Sequence, residues 1–299
     1  MTDLNSLFAV FPWVYWTTIT VFGLLVGSFL NVVAYRLPIM LERSWQFEAL
    51  MILASGEDAE ETRSAEQDAP FNLAVPRSRC PHCGHGIRWY ENVPVVSYLA
   101  LRGRCSQCKK PISARYPVVE LSTGLISLAV ALTLPWSWAL LLWLVFAWAL
   151  IALTLIDLDT QLLPDQITLP LLWLGLLAQV AGLLPAVTLT DAVTGAAAGY
   201  LSLWLVFHGF RLLTGKDGMG YGDFKLFAAF GAWFGWQALP LIILLSSVVG
   251  AVTGIAMLLL LGRDKNIPIA FGPYLCGAAL IYFWFGDLLM SSYLRWALG

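Results

Sequence analysis

A chain of 299 residues that is 59% hydrophobic and 12% charged lacks the polar surface needed to coat a water-soluble globule. Its mean hydropathy of +0.74 points instead to a bilayer. Seventeen basic residues against nineteen acidic ones, a net charge of -2, exclude a strongly basic nucleic-acid binder.

A bilayer core of about 30 Å needs roughly 20 apolar residues in a helix. Runs of that kind predict an all-α polytopic membrane protein with about eight transmembrane helices. The first runs from about Pro12 to Leu37; with no basic flank and too much length for a cleaved signal segment, it is expected to remain as an anchor. A polar stretch, 38–115, follows, and within it 54–70 is acidic and poor in aromatics, the composition of a flexible linker. The second and third spans (about 117–134 and 136–156) form a tight hairpin, and the fourth (about 166–184) and fifth (about 192–213) flank Leu184-Pro185. The sixth, from near Asp223 to Trp236, is short, about 18 Å of helix over 225–236, so its start is expected inside the membrane. The seventh covers 239–261 and the eighth 269–296. Three parts result: an N-terminal transmembrane helix (1–37), a cytoplasmic loop domain (38–115) and a transmembrane domain (116–299).

Basic residues set the orientation. Residues 36–115 hold eleven, 211–225 hold three (Arg211, Lys216, Lys225) and 262–268 hold two (Arg263, Lys265), leaving only Arg295. With eight spans all three loops share one side, which is therefore the cytoplasmic one, and both termini face away from it.

Cys80-Pro-His-Cys83 and Cys105-Ser-Gln-Cys108 are two knuckles separated by twenty-one residues. Two residues between cysteines let both thiolates reach one tetrahedral ion, and two such pairs complete a four-cysteine zinc site. A closed shell leaves no position for an activated water, so the metal folds the loop and does not catalyse. Redox pairs or unrelated thiols are the other readings; stable disulfides are not expected on the cytoplasmic side. His82 and His85 lie close by, but four thiolates saturate the ion. Cys276, in an apolar helix, reads as core packing.

Carboxylates beside membrane helices cost free energy and imply function. One group is Asp157-Leu-Asp159 through Asp165, joining the third and fourth spans. Another is Gly218-Met-Gly220-Tyr-Gly222-Asp223-Phe-Lys225, entering the sixth. Both fall on the cytoplasmic face, so Asp157 and Asp223 can meet. Two carboxyl groups sharing a site do not both ionise; one serves as base and the other as acid, which suits hydrolysis of an amide by water. The glycines at 218, 220 and 222 are expected to supply backbone geometry closed to other residues and room for an extended peptide. Asp159 and Asp165 read as well as solvated or capping residues as they do as functional ones, and residue chemistry alone does not separate Asp157 from Asp159. Gly27, Asn31 and Tyr35 recur every four residues, so they are expected to share one helix face, read as close packing with an interhelical hydrogen bond or as direct substrate contact. Glu120 reads as an interfacial residue, a partner for a basic neighbour or a hold on a basic leader.

These residues together resemble the bacterial type IV prepilin peptidases, of the GxGD intramembrane aspartic protease family. The resemblance rests on Gly27-Ser-Phe-Leu-Asn31-Val-Val-Ala-Tyr-Arg36-Leu-Pro38, the tetracysteine loop, the Asp157–Asp165 segment ending Leu-Pro-Asp, and Gly220-Tyr-Gly-Asp223-Phe-Lys225. It implies Asp157 and Asp223 as the catalytic pair. It implies a multi-pass protein of the bacterial inner membrane, with a cytoplasm-facing site that removes the basic leader of type IV prepilins and type II secretion pseudopilins after a glycine. It further implies methylation of the new N-terminus with S-adenosylmethionine. No glycine-rich nucleotide fingerprint is present, and no residue is assigned to the methyl donor. A proton-coupled transporter would use similar carboxylates but would place them near the bilayer midplane in repeated halves; a zinc-bearing scaffold would leave the GYGD segment without a role.

Overall fold

The computed structural model describes residues 2–53, 71–261 and 269–298. The expected linker at 54–70 and the basic loop at 262–268 lie outside the described residues. Ten α-helices follow in order: α1 (Thr2–Val10), α2 (Pro12–Leu53), α3 (Val96–Ala100), α4 (Arg115–Thr133), α5 (Trp138–Thr160), α6 (Asp165–Val180), α7 (Leu189–Thr214), α8 (Tyr221–Phe234), α9 (Leu239–Leu261) and α10 (Gly272–Leu298). The described residues contain no β-sheet, only two isolated bridges, Arg79 to Gly86 and Arg104 to Pro111.

Among the described residues, six helices are long and apolar enough to cross a membrane. The all-α membrane architecture is thus as expected, while the count of eight spans is not confirmed, since α6 has 16 residues and α8 has 14. The first helix also differs, running to Leu53 rather than Leu37. Pro38 removes one backbone donor, normally a stop signal, yet the following residues carry the helix on. Good helix formers fill 39–53, and Gln46 bonds Glu42 while Ser44 bonds Glu48, each one turn apart.

The chain falls into two compact units, 1–140 and 141–299. In the first, α2 and α4 pack backbone to backbone. A Cβ placed on Gly27 would lie 2.8 Å from Glu120 Cα, and one on Gly23 would strike the Ser127 hydroxyl. Asn31 is buried and its amide donates to Gly27 O (3.2 Å) and across to Tyr116 O (3.3 Å), so the small and amide residues do form the expected packing face. Tyr35 does not join it and is 68% exposed. Asn31 already reaches Tyr116, the second residue of α4, so one turn further along α2 there is no partner helix. Buried Arg36 instead turns to the loop, donating to Asn72 O (2.9 Å) and Pro76 O (2.6 Å) and stacking beside Phe71.

In the second unit α8 is the central element, with every residue from Phe224 to Trp233 buried except Lys225. A 14-residue helix spans about 21 Å and would leave polar ends in lipid; here its neighbours enclose it. Gly195 and Gly199 of α7 lie against the α8 backbone, where a Cβ on Gly195 would come within 2.5 Å of Gly231 O and one on Gly199 within 2.6 Å of Phe227 O. On α6, Gly175 accommodates Trp233, whose indole N–H donates to Leu171 O at 2.8 Å. Trp143, Phe146, Phe230 and Trp233 complete an aromatic core. Gly231→Ala would drive its Cβ into the Gly195 carbonyl. Since backbone cannot swing aside as a side chain would, a loss at the upper end of overpacking costs, about 3 kcal/mol, is expected as a lowered thermal midpoint in detergent.

Candidate active site and metal centre

Asp157 sits in the last turn of α5 and is 4% exposed; Asp223 sits in the first turn of α8 and is 6% exposed. Both are held by main-chain donors at helix starts. Gly272 N–H, opening α10, donates to Asp157 Oδ2 at 2.9 Å, and Gly220 N–H donates to Asp223 Oδ2 at 3.2 Å, half of a capping box. Asp223 Oδ1 is buried without a hydrogen-bond partner among the described residues. The two acids flank Leu163, which a Cβ on Gly222, next to Asp223, or on Gly272, against Asp157, would touch. Such a pair, enclosed yet with one carboxylate oxygen uncommitted, can share a proton and accept a further polar ligand.

Leu163 knits the three helix ends together. A Cβ on Gly222 would lie 2.6 Å from Leu163 Cβ, and a Cβ on Gly272 would lie 3.0 Å from Leu163 Cδ2 and 2.6 Å from Asp157 Oδ2. This corrects the role expected for Gly218, Gly220 and Gly222: none of the three has a left-handed φ. What Gly222 supplies is the absence of a side chain where α8 meets the α5–α6 loop; Gly218 does the same beside Phe210. Gly272 went unnoticed in the sequence, where Phe271-Gly272-Pro273 reads only as a helix start.

The neighbouring acids separate by environment. Asp159 is exposed, two residues past the buried Asp157. Asp165, at the start of α6, pairs with Lys225 of α8 at 2.6 and 2.7 Å, tying the α6 and α8 entrances together. Glu120 accepts Val95 N–H at 2.7 Å and so serves a backbone group in the loop.

In the first unit the four cysteine sulfurs lie within 4.8 Å of one another, with Cys80 to Cys108 at 3.8 Å and Cys83 to Cys105 at 4.0 Å. A tetrahedral ion with Zn–S bonds of about 2.3 Å requires sulfur separations of about 3.8 Å, so the residues fit zinc. The knuckles are copies of one another. Cys80 N–H bonds His85 O and Gly84 N–H returns to Cys80 O; Cys105 N–H bonds Lys110 O and Lys109 N–H returns to Cys105 O. Gly84 (φ +70) and Lys109 (φ +57) occupy the same left-handed corner. His85 is turned to Glu91, 3.3 Å away, and takes no place among the four ligand atoms. The Ser106 hydroxyl and Arg88 N–H hold the Glu91 carboxyl down at about 2.

Fold and site together define a helical multi-pass membrane protein with acids gathered at helix ends and a four-cysteine loop. The model of the bacterial peptidase A24 N-terminal domain matches residues 21–134, and that of the type IV leader peptidase family matches 144–255. Three relatives, each a prepilin leader peptidase/N-methyltransferase, match over most of both chains. That of Aeromonas hydrophila is 55% identical over 283 residues, 95% of each chain. That of Aeromonas salmonicida is 54% identical over 294 residues, 98% of this chain and 99% of its own. That of Pseudomonas aeruginosa is 54% identical over 275 residues, 92% of each. No solved structure matches. The chain belongs to the type IV leader peptidase family.

Proposed function

We propose that this chain is a bifunctional membrane enzyme. It removes the basic leader from type IV prepilins and type II secretion pseudopilins after a glycine, and methylates the new N-terminus with S-adenosylmethionine. What supports the peptidase half is that Asp157 and Asp223 are both buried at helix ends within one unit, beside the two glycines that border Leu163. One carboxylate takes a proton from water as it attacks the scissile carbonyl, and the other delivers a proton to the departing nitrogen. Gly220 and Gly272 N–H groups fix the two carboxylates for these transfers. Asp223 Oδ1 lacks a hydrogen-bond partner among the described residues and is the carboxylate oxygen left for the attacking water or the departing nitrogen. The methyltransferase half rests on the shared name of the relatives; the donor supplies an electrophilic methyl group. The transporter alternative finds no support among them.

Cys80, Cys83, Cys105 and Cys108 hold a structural zinc ion, with no position left open for catalysis. The functional parts are those of the polar loop, 38–115, and the peptidase portion, 116–299, even though α4 packs with α2. The protein resides in the bacterial inner membrane with the loop and the site on the cytoplasmic side, a reading supported by the distribution of basic residues. Incubating the purified chain with a prepilin, with and without S-adenosylmethionine, tests both reactions by the mass of the mature N-terminus. Cleavage in both cases, and a gain of one methyl only with the donor, is the expected result; an uncut substrate defeats the peptidase reading.

Gly272→Ala sharpens the assignment. Its Cβ would displace Asp157 Oδ2 or Leu163, and misplacing a reacting group by about 1 Å costs roughly a hundredfold in rate. A fall of that order in kcat with little change in KM is expected from steady-state cleavage assays.

A further inference from the structure

The segment 71–115 exposes apolar side chains that a loop bathed in water would cover. Trp89 is 83% exposed, Leu99 68% and Val96 62%. They belong to two short elements that are bonded to each other. Trp89 and Tyr90 belong to a 3₁₀ turn, Trp89–Asn92, and the Ser97 hydroxyl fastens that turn to α3, donating to Tyr90 O (2.7 Å) and accepting from Val93 N–H (3.0 Å). Val96 and Leu99, three residues apart, share one face of α3.

The depth of this cluster is fixed by Glu120. Val95 N–H donates to Glu120 Oε2 at 2.7 Å, and Glu120 lies about 7.5 Å along α4 from Arg115. On the same stretch of α4, Val118 and Leu121 are 62% and 48% exposed; on a membrane-crossing helix such residues face lipid. A turn bonded at that level lies at the lipid boundary. Val95 itself sits at φ +60 between Pro94 O and Val96 N, a γ-turn that a β-branched residue avoids, so the bond to Glu120 fastens an unfavourable conformation at that depth.

Charge identifies the lipid. Residues 71–115 carry eight basic side chains and one acidic one, in a chain whose net charge is -2. Four thiolates around one zinc ion remove only about two of those positive charges. All eight basic side chains are exposed. A surface of this sign repels a basic leader and attracts anionic headgroups.

We propose that the 3₁₀ turn and α3 form an interfacial foot that rests on the bilayer. Trp89, Val96 and Leu99 enter the boundary between headgroups and acyl chains, while Arg88, Arg102 and Arg104 engage anionic phospholipid. Trp above a basic rim is the composition of interfacial elements generally. The inference depends on α2 and α4 crossing a membrane and is independent of the peptidase reading.

The test uses the full zinc-loaded chain in nanodiscs of equal parts phosphatidylcholine and phosphatidylglycerol. A photoreactive benzoylphenylalanine replaces Leu99 or Trp89, and adducts are read by mass after illumination. Phospholipid adducts at both positions are expected, with phosphatidylglycerol favoured about fivefold, and Arg88→Gln with Arg102→Gln should abolish that preference. Adducts confined to protein, or none, would overturn the foot; equal capture of the two lipids would overturn the anionic assignment. Zinc content verifies that each labelled variant is folded, and prepilin cleavage measured on the same samples keeps failure here distinct from failure of the proposed activity.

Discussion

Asp157→Asn and Asp223→Asn are each expected to lower leader cleavage by about a thousandfold or more, because the remaining carboxyl group cannot perform both proton transfers. The substitutions are nearly isosteric, and the structure indicates that they preserve the fold. An asparagine amide oxygen still accepts Gly272 N–H at position 157 or Gly220 N–H at position 223, the bonds made now by the Oδ2 atoms. Both variants should melt near the parent temperature and remain inserted, since Asp223 Oδ1 already lacks a partner and an amide NH₂ in its place leaves one unpaired buried polar atom as before. Single-turnover cleavage of a prepilin and thermal unfolding of each variant provide the readouts, and normal cleavage by either would remove that aspartate from the pair. Asp159→Asn is the comparison: its side chain is exposed, and cleavage should stay near the parent rate.

That comparison marks where the sequence alone stops informing. Asp157 and Asp159 have the same chemistry and nearly the same place in the chain, so only burial distinguishes them, and burial follows from which face of α5 meets neighbouring helices. The knuckle cysteines were legible because two intervening residues fix the local geometry whatever the remainder of the chain does. Gly272 was not legible. Its importance arises from a contact with Asp157, 115 positions away, and a glycine before a proline at a helix start has no distinguishing pattern. The close approach of Gly195 and Gly231 was hidden for the same reason, since the distance between helices has no local signature. Pro38 misled in the opposite direction: a local stop signal was overridden by the helix-forming residues after it. The shortness of α8 was visible in its apolar run, whereas its enclosure, which makes that length tolerable in a bilayer, emerges only from packing.

The second large effect concerns the metal loop. Cys80→Ser replaces a thiolate by a hydroxyl that does not ionise at neutral pH, leaving three ligands of four. Binding of structural zinc contributes on the order of 10–16 kcal/mol to the folding of small four-ligand domains, and residues 71–112 have little else to hold them. Two isolated bridges, the Arg36 contacts and the Glu120 bond are spread along the segment. Zinc measured by mass spectrometry should fall from one equivalent to near zero, and trypsin should cut after Arg88 and Arg102 far faster than in the parent. The membrane helices should persist, because α2 and α4 are joined through Gly23, Gly27 and Asn31 and not through the cysteines. Cleavage should weaken less than in the aspartate variants, since no thiolate belongs to the carboxylate pair. Cys276→Ser is the control: Cys276 is buried in α10, outside the four-sulfur cluster, and zinc content should be unchanged. A parent protein that binds no zinc, or a Cys80→Ser variant that retains a full equivalent, would show that the paired knuckles hold their shape by some other means.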